Sequence, residues 1–73
     1  MNIFVIFEKY EAEENFLCME DIQKYQTQGK LTTSSREPVV IFQNLSSSEV
    51  SQIRNLAHRW NGRVLASRKY AAY

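Results

Sequence analysis

A small single domain of the α/β or α+β class is predicted by three stretches of the 73-residue chain. The N-terminal run NIFVIF is β-branched and aromatic, the composition of a strand. The segment LSSSEVSQIRNLAHRWNG carries a full set of helix signals. The spacing of PVVIFQ, that helix and RVLASRKY forms a C-terminal strand–helix–strand unit. About three strands and one well-capped helix over residues 47–60 are therefore expected. A chain this short buries only about 60% of its unfolded surface, and its core supplies a few kcal/mol at best.

Taken in order, NIFVIF is apolar on both faces, as in a central strand covered on two sides. In EAEENFLCMEDIQKYQ, residues Ala12, Phe16, Met19, Ile22 and Tyr25 recur every three or four positions and favour a helix. Its Glu-rich first turn suits the positive end of a helix, although NFLCM is also a continuous apolar run that could pair as a strand. Residues 27–37, TQGKLTTSSRE, are polar and small and read as a flexible loop or an irregular strand ending at Pro38. Pro38 opens the strand VVIFQ.

Ser46 followed by Glu49 is a capping box, and Leu45 with Val50 fits the hydrophobic staple that accompanies one. Val50, Ile53, Leu56, Ala57 and Trp60 form one apolar stripe, and Gly62 can take the left-handed conformation that closes a helix. RVLASRKY follows as a strand with Val64 and Ala66 on one side and Leu65 on the other. With a tight turn at Asn61-Gly62 this resembles a βαβ unit, whose two strands would be parallel neighbours.

The net charge of +1 hides an asymmetry. Residues 1–21 carry Glu8, Glu11, Glu13, Glu14, Glu20 and Asp21 against Lys9, whereas residues 51–73 carry Arg54, Arg59, Arg63, Arg68 and Lys69 with no acid. Such polarity can orient a partner, unless the two ends fold together and neutralise each other.

Catalytic chemistry lacks its parts. One His, one Cys and scattered carboxylates give no nucleophile, base and orienting group at recognisable spacing. Two distant glycines cannot build a phosphate-cradling loop, and there is no His pair or Cys pair for a metal site. Cys18, alone, excludes an intrachain disulfide and reads as a small buried hydrophobe. No enzyme, cofactor or metal is expected. The opening apolar run is too short for a signal peptide or a membrane span, so a cytoplasmic monomer is the expectation.

The basic segment offers Arg54 and His58, four apart on one helix flank, then Arg59, Arg63, Arg68 and Lys69. Arg predominance favours bidentate contacts to carboxylate or phosphate, and nearby Tyr70, Tyr73 and Trp60 could add stacking to a nucleic acid. The same patch with Tyr at its edge also suits a protein interface, and the acidic segment Glu11, Glu13 and Glu14 could meet a basic partner. Open sheet edges would allow strand addition. A two-sided protein-docking module fits the charge map better than a dedicated reader of nucleic acid.

Residues 38–64 resemble the opening strand–helix–strand of a BRCT domain, with Asn61-Gly62 at that family's Gly-Gly turn, but no phosphate-binding set carries over. Over the whole chain, the opening MNIFVIFEKYEAEENF and the ending HRWNGRVLASRKYAAY resemble the small RNA-polymerase-binding regulators of lytic Xanthomonas bacteriophages. That resemblance implies a host-takeover protein of the host bacterial cytoplasm. It implies binding to the N-terminal region of β′ near the β flap and RNA exit channel. It further implies inhibition of initiation by σ displacement, antitermination with NusA, and contact with nascent RNA as a second role.

Overall fold

The computed structural model describes residues 1–66. In chain order these are β1 (Ile3–Ile6), α1 (Tyr10–Leu17), α2 (Glu20–Thr27), β2 (Leu31–Thr33), β3 (Val39–Phe42), α3 (Ser47–His58) and β4 (Arg63–Ala66). The strands form one antiparallel sheet in the order β2-β3-β1-β4. Two strand–helix–strand units interleave, each with a strand of the other between its own two, the connectivity of the ferredoxin-like split βαβ motif. The fold is a small α+β domain.

This order corrects one expectation. β3 and β4 run parallel but are not neighbours, because β1 pairs with both of them. The spacing of a strand–helix–strand unit dictates that its strands run parallel. It does not dictate whether a third strand fills the gap.

Pairing register sorts the side chains into two faces. Ile3 stands opposite Phe42 and Ala66, and Val5 opposite Val40 and Val64. Leu31 stands opposite Phe42 on the other side. Ile3, Val5, Val40, Phe42 and Leu31 are buried together with Phe16, Ile22 and Tyr25 of α1 and α2 and Ile53, Leu56 and Ala57 of α3. Phe42 is the hub, with Tyr25 edge-on at 5.6 Å and Phe16 edge-on at 6.2 Å between ring centroids. Each such side chain contributes about 1.5–3 kcal/mol by leaving water.

The alternate residues Phe4, Ile6, Val39, Ile41 and Leu65, with Arg63, share the outer face. None of the three helices joins that face; all of their buried apolar residues belong to the inner cluster. β1 is therefore central, as its composition implies, but a helical layer covers only one of its two apolar sides.

The helix favoured for residues 11–26 is present as two. Cys18 ends α1 and Met19 starts α2 in extended conformation. No Gly or Pro marks the break, so its cause is tertiary. It lets Phe16 on α1 and Ile22 and Tyr25 on α2 all reach full burial. α2 then closes through Gly29 at φ 73°, with Lys30 N–H donating to the Tyr25 carbonyl at 2.9 Å, a Schellman closure. Within residues 27–37, Leu31–Thr33 pair with β3 as an edge strand.

α3 begins as its sequence dictates. The Ser46 hydroxyl accepts from Glu49 N–H at 3.2 Å, and Ser46 N–H donates to Glu49 Oε1 at 2.8 Å. Its other end differs. The helix stops at His58, and Asn61, not Gly62, holds the left-handed position at φ 58°. Gly62 N–H donates to the Ala57 carbonyl at 2.9 Å to finish the turn. Gly62 is needed for space: a Cβ there would lie 2.7 Å from Phe7 Cε1 and 3.1 Å from Val5 Cγ1.

Candidate functional site

α1 and α2 run alongside α3 in the opposite sense. The start of α1 meets the end of α3, while Tyr25 near the end of α2 donates its hydroxyl to Gln52 Oε1 at 3.3 Å. Below, Lys30 pairs with Glu49 at 3.7 Å. At the upper end the helices leave an open cleft of about 300 Å³ lined by Lys9, Glu11, Ala12 and Asn15 on one side and Arg59, Trp60 and Asn61 on the other.

Trp60 lies just past α3 and half-buried against the core. Its indole N–H donates to Met19 Sδ at 3.5 Å. That contact ties the cleft to the α1–α2 junction and leaves the tryptophan both structural and accessible. Lys9 and Arg59 are exposed and neither makes an ion pair among the described residues. Glu11 adds one carboxylate to the same walls.

The basic residues singled out in the sequence divide among three places. Arg54 and His58 are exposed on the flank of α3, and Arg59 lines the cleft. Arg63 opens β4 opposite Ile6, which puts it on the outer sheet face. Arg68 and Lys69 lie outside the described residues. The acidic trio also divides. Glu11 is in the cleft and Glu14 is exposed.

Glu13, expected at a partner surface, is 7% exposed with Oε2 sealed from solvent and without a hydrogen-bond partner. Burial, and then the neighbouring Glu14 charge, raises its pKa above the ordinary value. An acidic run read from sequence looks uniformly solvated, but within a single helix turn the adjacent Glu13 and Glu14 face a dry side and a wet one.

Sequence reasoning missed Lys9, Asn15 and Asn61. Lys9 was the lone base of an acidic segment, and nothing local announces that antiparallel packing carries it to Arg59. Cys18, read as buried, is exposed at the α1–α2 break. It lies between Leu17 and Met19, both of which pack against the core.

Among the described residues no cluster of three or more His, Cys, Asp or Glu converges, and no helix is long and apolar enough to cross a membrane. The site offers charge, amide groups and one indole, which are means of binding. Comparison with protein-family models, curated proteins and solved structures finds no match to this chain.

Proposed function

We propose that the chain is a non-catalytic docking module, a phage-encoded regulator that binds the RNA polymerase of its bacterial host. The observation that carries the docking reading is the charge layout of the helical layer. Arg54 and His58 on α3 and Arg59 just past it are exposed, as are Glu11, Glu14, Glu20 and Asp21 on α1 and α2. None of them forms an ion pair among the described residues. Exposed charges of both signs on one layer suit a protein surface of mixed charge and fix its orientation. They suit a polyanion poorly, because the acids repel it.

The polymerase itself is named by the whole-chain resemblance. On that reading the module binds the N-terminal region of β′ near the β flap and RNA exit channel in the host cytoplasm. It weakens σ binding and, with NusA, lets polymerase pass terminators. Nascent RNA is a secondary contact.

Tagged full-length protein in a Xanthomonas lysate should retain β′ and β. Recovery of a different host complex, or of nucleic acid alone with a steep salt dependence of about −0.9 per neutralised phosphate in the log–log slope, would overturn the proposal.

A further inference from the structure

We infer that the cleft between α1 and α3 is the acceptor for an acidic side chain of the partner protein, a Glu or Asp carboxylate held between Lys9 and Arg59. This rests on the docking reading and names the chemistry that the partner must bring.

Three features converge. First, Lys9 and Arg59 come from opposite ends of the chain and line one cleft, yet neither makes an ion pair among the described residues. A carboxylate placed between them gains two charge-assisted contacts, and the Arg guanidinium can meet it with two parallel N–H groups. Second, the cleft walls are not purely polar. Ala12 and the half-buried ring of Trp60 supply apolar surface against which the methylene stem of a Glu can lie. Trp60 is already anchored through Met19, so this wall is in place before the ligand arrives and little ordering cost remains.

Third, Glu11 sets the limit on the ligand's charge. With one carboxylate lining the cleft and Glu14 exposed on the same helix, a single incoming anion is met by two cations and one acid. A nucleic-acid strand brings a charge at every nucleotide and would meet the acids of α1 and α2 beyond the cleft. The volume, about 300 Å³, is at the small end of ligand sites, which run from about 300 to 1,000 Å³. It suits one side chain with its flanking backbone.

The test uses the full chain, labelled with ¹⁵N and titrated with a capped alanine peptide carrying one central Glu, the same peptide with Lys in its place, and a uridine decanucleotide. The Glu peptide should produce saturable shifts of the Trp60 indole N–H and of the Asn15 and Asn61 side-chain amides. Lys9→Ala and Arg59→Ala should each weaken that binding about threefold, the scale of a partly exposed ion pair, and Glu11→Gln should strengthen it by a similar factor. All three positions are exposed, and unchanged spectra elsewhere confirm the fold of each variant.

Absent shifts at these three reporters, an equal response to the Lys peptide, or tighter binding of the decanucleotide at the same reporters would each overturn the inference. The two proposals fail separately. If the Glu peptide binds as described and polymerase is not captured, the partner's identity falls and the cleft stands. If polymerase is captured equally by wild type and by the Lys9→Ala, Arg59→Ala double variant, the cleft falls and the polymerase reading stands.

Discussion

Replacing Glu13 by Met should make the protein more stable at neutral pH. Glu13 lies on the inner side of α1 at 7% exposure, and its Oε2 has no hydrogen-bond partner. An unsatisfied buried polar group costs about 1–3 kcal/mol. One sealed oxygen places this site at the low end, about 1 kcal/mol. Met has nearly the same length and similar helix propensity, so Glu13→Met removes the cost without opening a cavity.

In a domain of this size, about 1 kcal/mol corresponds to a rise in Tm of about 4–8 °C. The direction of the pH dependence follows from the raised pKa, caused first by burial and then by Glu14. The folded state holds this proton more tightly than the unfolded state. Stability therefore falls as pH rises from the ordinary value of 4.5 through the higher folded value. Glu13→Gln lacks that titration, so its stability relative to wild type should improve across that same window and then level off.

Urea unfolding of wild type, Glu13→Gln and Glu13→Met, followed by circular dichroism between about pH 4 and about pH 7, measures both effects. The difference between wild type and Glu13→Gln also cancels the opposite titration of Glu49, whose pKa is lowered chiefly by the Ser46 backbone N–H. A difference that stays flat with pH, or a Glu13→Met protein less stable than wild type at neutral pH, would refute the reasoning.

Five further outcomes test the packing, the turn after α3 and its cap. Ile22→Ala at a fully buried position should cost about 2–5 kcal/mol, enough to unfold much of the population at room temperature. Leu65→Ala on the outer sheet face, where Leu65 is 42% exposed, should stay within about 0.5 kcal/mol of wild type in the same urea series. Gly62→Ala forces a Cβ to 2.7 Å from Phe7 Cε1 and should cost about 1–3 kcal/mol by thermal unfolding. Asn61→Gly at φ 58° should fold at least as well as wild type, since glycine accepts the left-handed position without strain. Ser46→Ala removes the cap to Glu49 N–H and should lower stability by about 1 kcal/mol, with amide exchange rising first in the opening turn of α3.

The amino-acid sequence by itself determined the local elements. The β-branched run of β1, the capping box at Ser46 and Glu49, and the apolar stripe through Ile53, Leu56 and Ala57 are each decided by neighbours a few residues apart. So is the division of the last strand, with Val64 and Ala66 on one face and Leu65 on the other. Tertiary structure decided everything that depends on which surfaces meet. Only pairing to β3 and β4 together places β1 between them and leaves its second apolar face outside the helical layer. The break at Cys18 and Met19 has no breaker residue behind it and exists because Phe16, Ile22 and Tyr25 are all buried against one sheet.

The candidate site divides the same way. Its charge asymmetry could be read from composition, but three of the predicted basic residues proved to lie in three different places: Arg54 on a helix flank, Arg59 in the cleft and Arg63 on the outer sheet. Lys9 and Arg59 are 50 positions apart in the chain and share a cleft. Glu13 and Glu14 are adjacent and have opposite environments. Helical geometry turns successive side chains about 100° apart while packing brings distant ones together, so proximity along the chain is a poor guide to proximity at a surface.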